Sequence, residues 1–341
     1  MRPDLLDYLC EPITKAPLEL RDASYDRDGR VQSGSLVSAT GSAYPIVNGI
    51  PRFLNDVPVD TVKSFGEEWN YFNYTDFKQN WLSHTVASTF GTPDVFRGKL
   101  IVDAGGGSGA QTKWFAEYGA RRVIMLELSH SVDDVVATNL VGLTNVDVVQ
   151  CSIDAPPIRD RSIEGIVYCH NVIQHTPSVE KTAHALYALV APGGELVFNC
   201  YGLNDGPGML RWIRAHIIGH GIFAITRKMS DGQVMVFSYA MAWARLIPFV
   251  GWFLEQSGVI RCGDVPIVAG ETALARLKRR FKQTYLNMRD QHGRHHYQHE
   301  KTDSELRSLL AELQPDSSKI LNADRYFSRP PPIGIAFRVF R

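Results

Sequence analysis

The candidate functional residues gather around one glycine-rich stretch. DAGGGSGA (103–110) follows the apolar run KLIVDA (99–104) and leads into KWFAEYGA. Gly105, Gly107 and Gly109 let the chain turn tightly and let a ligand approach the backbone, the more so where a helix begins. An acid, Asp103, starts the loop. Two more acids recur further along: Glu127 near the end of RVIMLELS (122–129), and Asp154 near the end of VDVVQCSIDA (146–155). One such carboxylate can accept from a pair of ribose hydroxyls, the other from an exocyclic amino group. That is the chemistry of holding a nucleoside.

These acids need a scaffold that brings them to one edge. From Lys99 the chain alternates buried-type strand runs with helical segments, which predicts a parallel sheet. The strands are 99–104, 122–129, 146–155, SIEGIVYCHN (162–171) and ELVFNCY (195–201). SVDDVVATNL (131–140) and SVEKTAHALYALV (178–190) are the intervening helices, the second closed by Pro192-Gly193-Gly194. Ligands of open α/β sheets bind beyond the carboxyl ends of the strands, where Asp103, Glu127 and Asp154 fall. Two cofactors fit. Gly105, Gly107 and Ala110 satisfy the dinucleotide pattern GxGxxA, with Glu127 about 20 residues on, so NAD is one. S-adenosylmethionine (SAM) is favoured by the acid that opens the loop, by Asp154 after the third strand, and by the PGG turn before the fifth.

DAGGGSG, LEL, SIDAPPI, CHNVIQHTP and APGG resemble the class I SAM-dependent methyltransferases over about residues 99–201. The resemblance implies a Rossmann-like α/β fold: a seven-stranded sheet with helices on both faces, its last strand antiparallel. KILNADRYF (319–327) and GIAFRVFR (334–341) are the expected closing hairpin. It also implies roles. Asp103, Gly105, Gly107 and Gly109 would line the methionine side, Glu127 would bind ribose, Asp154 and Ala155 adenine, and Asn171 would lie near the methionyl group.

Histidines are the candidate bases. His170 and His175 follow the fourth strand, beside the expected methyl site, and a base helps when the acceptor is a hydroxyl or a protonated nitrogen. A second cluster, QHGRHHYQHEKT (291–302), places His295 and His299 four apart, but no carboxylate or cysteine pattern supports a metal there. It is similar to a stretch near the end of bacterial members of the same family, which implies that Tyr297 and His299 wall the acceptor pocket. No metal is expected.

At the other end, LCEPITKAPLEL…AYPIVNGIPRFL (9–54) resembles the zinc-ribbon-like module of tRNA-methyltransferase activator proteins, whose pattern is CPxCKxPL. Glu11 and Thr14 stand where cysteines would, so a metal-free packing remnant is expected. VKSFGEEWNYF (62–72) resembles the segment that precedes the core in such fused proteins, where Phe65 and Trp69 would close over the cofactor. The organisation is then a module over 1–56, a helical connector over 57–98, the SAM-binding core over 99–201, a helical cap over 202–300, and a C-terminal helix with closing strands over 301–341.

Composition narrows the partners. The 341 residues hold 36 Lys plus Arg against 36 Asp plus Glu, a balance that argues against a broad nucleic-acid face, although RLKRR (276–280) is locally basic. Five scattered cysteines without a CxxC pair suggest reduced thiols, and the N-terminus lacks the pattern of a signal peptide, so a cytoplasmic protein is expected. The apolar run 232–258, with Arg245 near its centre and Pro248 after it, reads as buried cap helices, with peripheral lipid contact as the alternative. The expectation is methyl transfer to a small molecule such as a glycan, lipid-linked sugar or secondary metabolite. A tRNA or rRNA methyltransferase, a non-catalytic SAM-binding or scaffold protein, and an NAD enzyme are the other readings.

Overall fold

The computed structural model describes residues 1–54, 69–70, 73–202, 209, 220–226, 228–257, 259–260, 270–292, 297, 299–321 and 334–341. Its centre is a parallel sheet of β5 (Leu100–Ala104), β6 (Arg122–Glu127), β7 (Val146–Cys151), β8 (Ile166–Cys169) and β9 (Glu195–Tyr201), in the order β7-β6-β5-β8-β9. These strands are nearly continuous runs of buried residues, as strands covered on both faces must be. The order reverses at β5, so the chain leaves the paired strands β5 and β8 in opposite directions, which places a crevice at their carboxyl ends. β11 (Gly334–Phe340) lies antiparallel on β9, and β10 (Ser317–Ile320) antiparallel on β11. The closing hairpin expected from sequence is present, but its first strand begins at Ser317 and overlaps the expected 319–327 only at Lys319 and Ile320 among the described residues. Together these seven strands form the Rossmann-like sheet expected from sequence.

The N-terminal unit, which its sequence marks as separate, instead extends this sheet. Its meander of β1 (Leu18–Tyr25), β2 (Val31–Ser38), β3 (Ala43–Val47) and β4 (Ile50–Phe53) ends with β4 parallel to β7, Arg52 opposite Gln150 and Phe53 opposite Cys151. The physical reason is burial. Leu5, Leu9, Leu36 and Ile46 lie in one apolar core with Val149, Ile153 and Ile158, and so small a unit cannot bury those side chains against itself. Arg52 fixes the joint by donating to Gln150 Oε1 at 2.7 Å and Asp133 Oδ1 at 2.6 Å.

Helices α1 (Ala110–Glu117), α2 (Val135–Asn139) and α3 (Val179–Ala188) connect the strands. Ser178 caps α3, its hydroxyl accepting from Lys181 N at 3.2 Å. On one face Trp81, from the helical run over 78–89, packs against Phe96, Trp114 and Phe115. The insert supplies α4 (His220–Thr226), α5 (Asp231–Leu246), α6 (Pro248–Ser257) and α7 (Ala273–His292). α8 (Asp303–Glu312) precedes the closing hairpin. Among the described residues no single helix is long and apolar enough to cross a membrane, whereas α5 and α6 together pass that test but are bent by 119°. Arg245 is buried at this bend. It donates to Glu255 Oε1 at 2.7 Å and Thr284 Oγ1 at 3.0 Å, which is how a charge is tolerated in the middle of an apolar run.

Candidate active site

The glycine loop is fixed from several sides. Gly105, Gly107 and Gly109 hold φ of +84°, +58° and +78°, the left-handed region that side chains resist. The Gly105 N–H donates to Leu126 O at 2.8 Å. The Gly107 N–H donates to Glu127 Oε2 at 2.7 Å, while Ser131 Oγ donates back to the Gly107 carbonyl at 3.0 Å. Asn139 holds the Ser108 carbonyl at 2.8 Å. A Cβ on Gly105 would lie 2.6 Å from both methyls of Val172, and one on Gly107 would lie 3.1 Å from the indole of Trp69. The last of the three, Gly109, is the N-cap of α1.

Glu127 ends β6 and is buried. Its Oε1 accepts from Ser129 N at 2.9 Å, so each oxygen holds one backbone hydrogen bond and keeps further accepting capacity. Burial pushes the carboxyl above its usual range, against the lowering effect of hydrogen bonds from the Ser129 hydroxyl and from the backbone of Ser129 and Gly107. Asp103 sits beside it on β5 and accepts from Thr112 Oγ1 at 2.5 Å, tying the strand end to the first turns of α1. Burial, reinforced by the Glu127 charge, pushes it up to about 7 although Thr112 pulls the other way.

Asp154 lies three residues beyond β7, half-buried with Ala155, and accepts from Ser152 Oγ. The N-terminal unit holds the chain just after it. Cys10 N donates to Pro157 O at 3.0 Å, Arg159 N to Tyr8 O at 2.8 Å, and Lys15 Nζ to Pro156 O at 2.7 Å. Asn171 follows β8 with φ of +59°. Its N–H donates to Asn199 Oδ1 at 2.6 Å and its own Oδ1 accepts from Asn199 Nδ2 at 2.5 Å, so the pair locks β8's end to β9.

The two candidate bases separate. His170 is stacked on Tyr168 with ring centres 5.8 Å apart, and burial pushes its pKa down to about 4, so it is neutral near pH 7. His175 is buried, with Nδ1 3.3 Å from Tyr297 O and Nε2 3.2 Å from Asp290 Oδ1. The Tyr297 carbonyl can only accept, so that contact suits a hydrogen on Nδ1, and Nε2 faces the Asp290 carboxylate within ion-pair distance. Tyr201, the last residue of β9, donates its hydroxyl to Asp290 Oδ2. The result is a His175–Asp290–Tyr201 set at the carboxyl ends of β8 and β9.

Tyr297 and His299 do come to this edge. His299 N donates to Gln174 O at 2.9 Å, Lys301 N donates to Tyr201 O at 2.9 Å, and the Tyr297 and His299 rings stack at 6.2 Å. The Gln174 amide is fully buried and, like His299 Nε2, has no hydrogen-bond partner among the described residues. His295 and Phe65 lie outside the described residues. Asp290 and Tyr201 were missed in the sequence. The signal for Asp290 was a carboxylate in the last turn of a basic helix, where the macrodipole disfavours it unless a partner compensates.

With this geometry in hand, comparison with known proteins is specific for the core. Residues 102–198 match the family model described as a methyltransferase domain. Over 145 residues the chain is 27% identical to a ubiquinone biosynthesis O-methyltransferase of Erwinia tasmaniensis, covering 40% of this chain and 58% of that one. Over 109 residues it is 30% identical to the protein of that name from Azoarcus sp., covering 31% and 46%. The chain thus spans about half the length of the curated relatives it matches. Among solved structures, the YcgJ protein of Bacillus subtilis is similar at 12% identity and a TM-score of 0.39, over 72% of this chain and 93% of that one.

Proposed function

We propose that the protein is a SAM-dependent methyltransferase acting on a small-molecule acceptor by O- or N-methylation. The observation that carries this is the clamp between Glu127 and Gly107: a buried carboxylate with capacity to spare, set against a left-handed glycine loop at the reversal of the sheet. These residues fit the cofactor. The loop has no room for a side chain at Gly105, which keeps its backbone packed tightly beside Val172, and the carboxylate suits two ribose hydroxyls. Asp154 and Ala155 would take the adenine edge, and Asn171, braced by Asn199, the methionyl group.

When bound, SAM supplies a methyl group on a sulfonium, already activated for in-line attack. The protein's share is to orient the acceptor and exclude water. For a hydroxyl acceptor, the His175–Asp290 pair would hold the released proton, with Tyr201 keeping Asp290 in register. The relatives' names support O-methylation and a small acceptor. RNA is the weaker reading, because Arg279 of the basic stretch pairs with Glu271 at 2.7 Å and Arg280 approaches Glu255 at 3.4 Å, leaving fewer cations for phosphates.

The N-terminal unit reads as a zinc-ribbon-like remnant that now packs. Glu11 and Thr14, at the cysteine positions of the pattern, bond to each other: Thr14 Oγ1 donates to Glu11 Oε2 at 2.7 Å, and Tyr44 donates to Oε1 at 2.9 Å. A side-chain network closes the loop that a metal would otherwise close. Thermal-shift titration with SAM, S-adenosylhomocysteine and NAD tests the cofactor. Stabilisation by the first two but not by NAD is expected, and stabilisation by NAD alone would overturn the proposal.

A further inference from the structure

The cap carries apolar surface that the fold leaves exposed. At the bend between α5 and α6, Ile247 is 55% exposed, Phe249 75%, Trp252 56% and Phe253 57%. The patch continues onto α7. Phe281 of α7 packs against Trp243 of α5 with ring centres 5.1 Å apart, and Tyr285 of α7 packs against Tyr239, so the two helices run antiparallel. One turn onward that register sets Leu277 and Leu274 beside the bend, and both are exposed. An aromatic-rich apolar face of this extent marks an interaction surface rather than the scattered exposure normal for a soluble domain.

Charge says what it fits. Arg276 and Lys278 flank Leu277 on either side, each about 100° round the helix, and both are exposed. The nearby acids face inward: Glu255 is taken by Arg245 and Glu271 by Arg279. The surface is therefore apolar and aromatic at its centre and cationic at its rim, with its acids neutralised. That pattern is complementary to a bilayer with anionic headgroups. The 119° bend and the buried Arg245 rule out a straight span but let both helices lie along an interface.

We propose that the α5–α6 bend and the first turns of α7 form a monotopic docking surface that seats in the headgroup–acyl boundary of an anionic bilayer. It stands independently of the methyl-transfer reading. The two are joined only through α7, which carries Leu277 near one end and Asp290 near the other, ~20 Å apart at the helical rise.

The test is co-sedimentation of the full chain with vesicles of phosphatidylcholine, with and without phosphatidylglycerol. Binding is expected with the anionic lipid. Phe249→Ser with Trp252→Ser should abolish it. Arg276→Ser with Lys278→Ser should weaken binding to the anionic vesicles alone, about fivefold per charge, as added salt should. Brominated lipids should quench tryptophan fluorescence of the unmutated protein, a measurement that requires no variant to fold. The proposal is overturned if the unmutated protein neither sediments with anionic vesicles nor is quenched, or if the Phe249/Trp252 variant, folded by circular dichroism, sediments unchanged. It is equally overturned if light scattering shows a dimer that this variant converts to monomer, since the face would then join two copies.

Discussion

Replacing Glu127 with glutamine separates its two duties. In the protein its oxygens accept from Gly107 N at 2.7 Å and Ser129 N at 2.9 Å, both buried. A glutamine side chain has nearly the same shape but only one oxygen. Whichever backbone N–H faces the new amide meets a donor instead of an acceptor and loses its partner. A buried donor left unpaired costs about 1–3 kcal/mol, so Glu127→Gln should lower stability by that much in urea unfolding. The ribose contact should suffer separately: one hydrogen bond to a charged acceptor is worth about 1.5–3 kcal/mol, which is ~10- to 150-fold in affinity. Isothermal titration with SAM at a temperature where the variant is folded measures the second effect alone. If the folded variant binds SAM within twofold of the unmutated protein, Glu127 does not hold the ribose and the site assignment fails.

Three further outcomes follow from local geometry. The Glu11 carboxyl is pushed up by burial but held below its usual range overall by hydrogen bonds from Thr14, Tyr44 and Ile13. A depressed pKa adds stability above the unfolded value and loses it as pH falls, so Glu11→Gln should destabilise the protein near pH 7, with the difference shrinking below about pH 4.5 in parallel urea melts. A pH-independent difference would show that the charge is not what matters. Gly105→Ala forces a side chain to φ of +84° with its Cβ 2.6 Å from the Val172 methyls. The backbone alone should cost about 1–2 kcal/mol, a shift of ~1.5–3 °C in Tm for a chain of this length, and an unshifted melt would contradict the loop geometry. With a hydroxyl acceptor, His175→Ala should lower turnover by about 10²–10⁴-fold with SAM affinity nearly unchanged, and Asp290→Asn should move the pH–rate profile. Turnover unchanged in both variants would remove the proton-holding role.

Much of the core was legible because its signals are local. Five buried strands are apolar runs, and the glycines needed left-handed φ within a few residues of an acid. Glu127 could be picked out because a strand end followed by a loop has a fixed place in a parallel sheet. The same logic reached Tyr297 and His299 only by resemblance. It missed Asp290, which lies 115 residues from His175 in sequence and meets it only when α7 crosses the end of the sheet.

The alternation of strand and helix, the glycine loop and the acids at the strand ends are local properties of the chain, since each depends on neighbours a few residues away. Tertiary structure decided the rest. It alone joined β4 to β7, because an edge strand and a half-covered apolar face find their partner across nearly a hundred residues. It alone paired His175 with Asp290 and buried Arg245 beneath the bend of the cap, against Thr284. Those contacts arise from packing between distant elements, where the free energy of burying a charge depends on a partner that no local pattern of residues records.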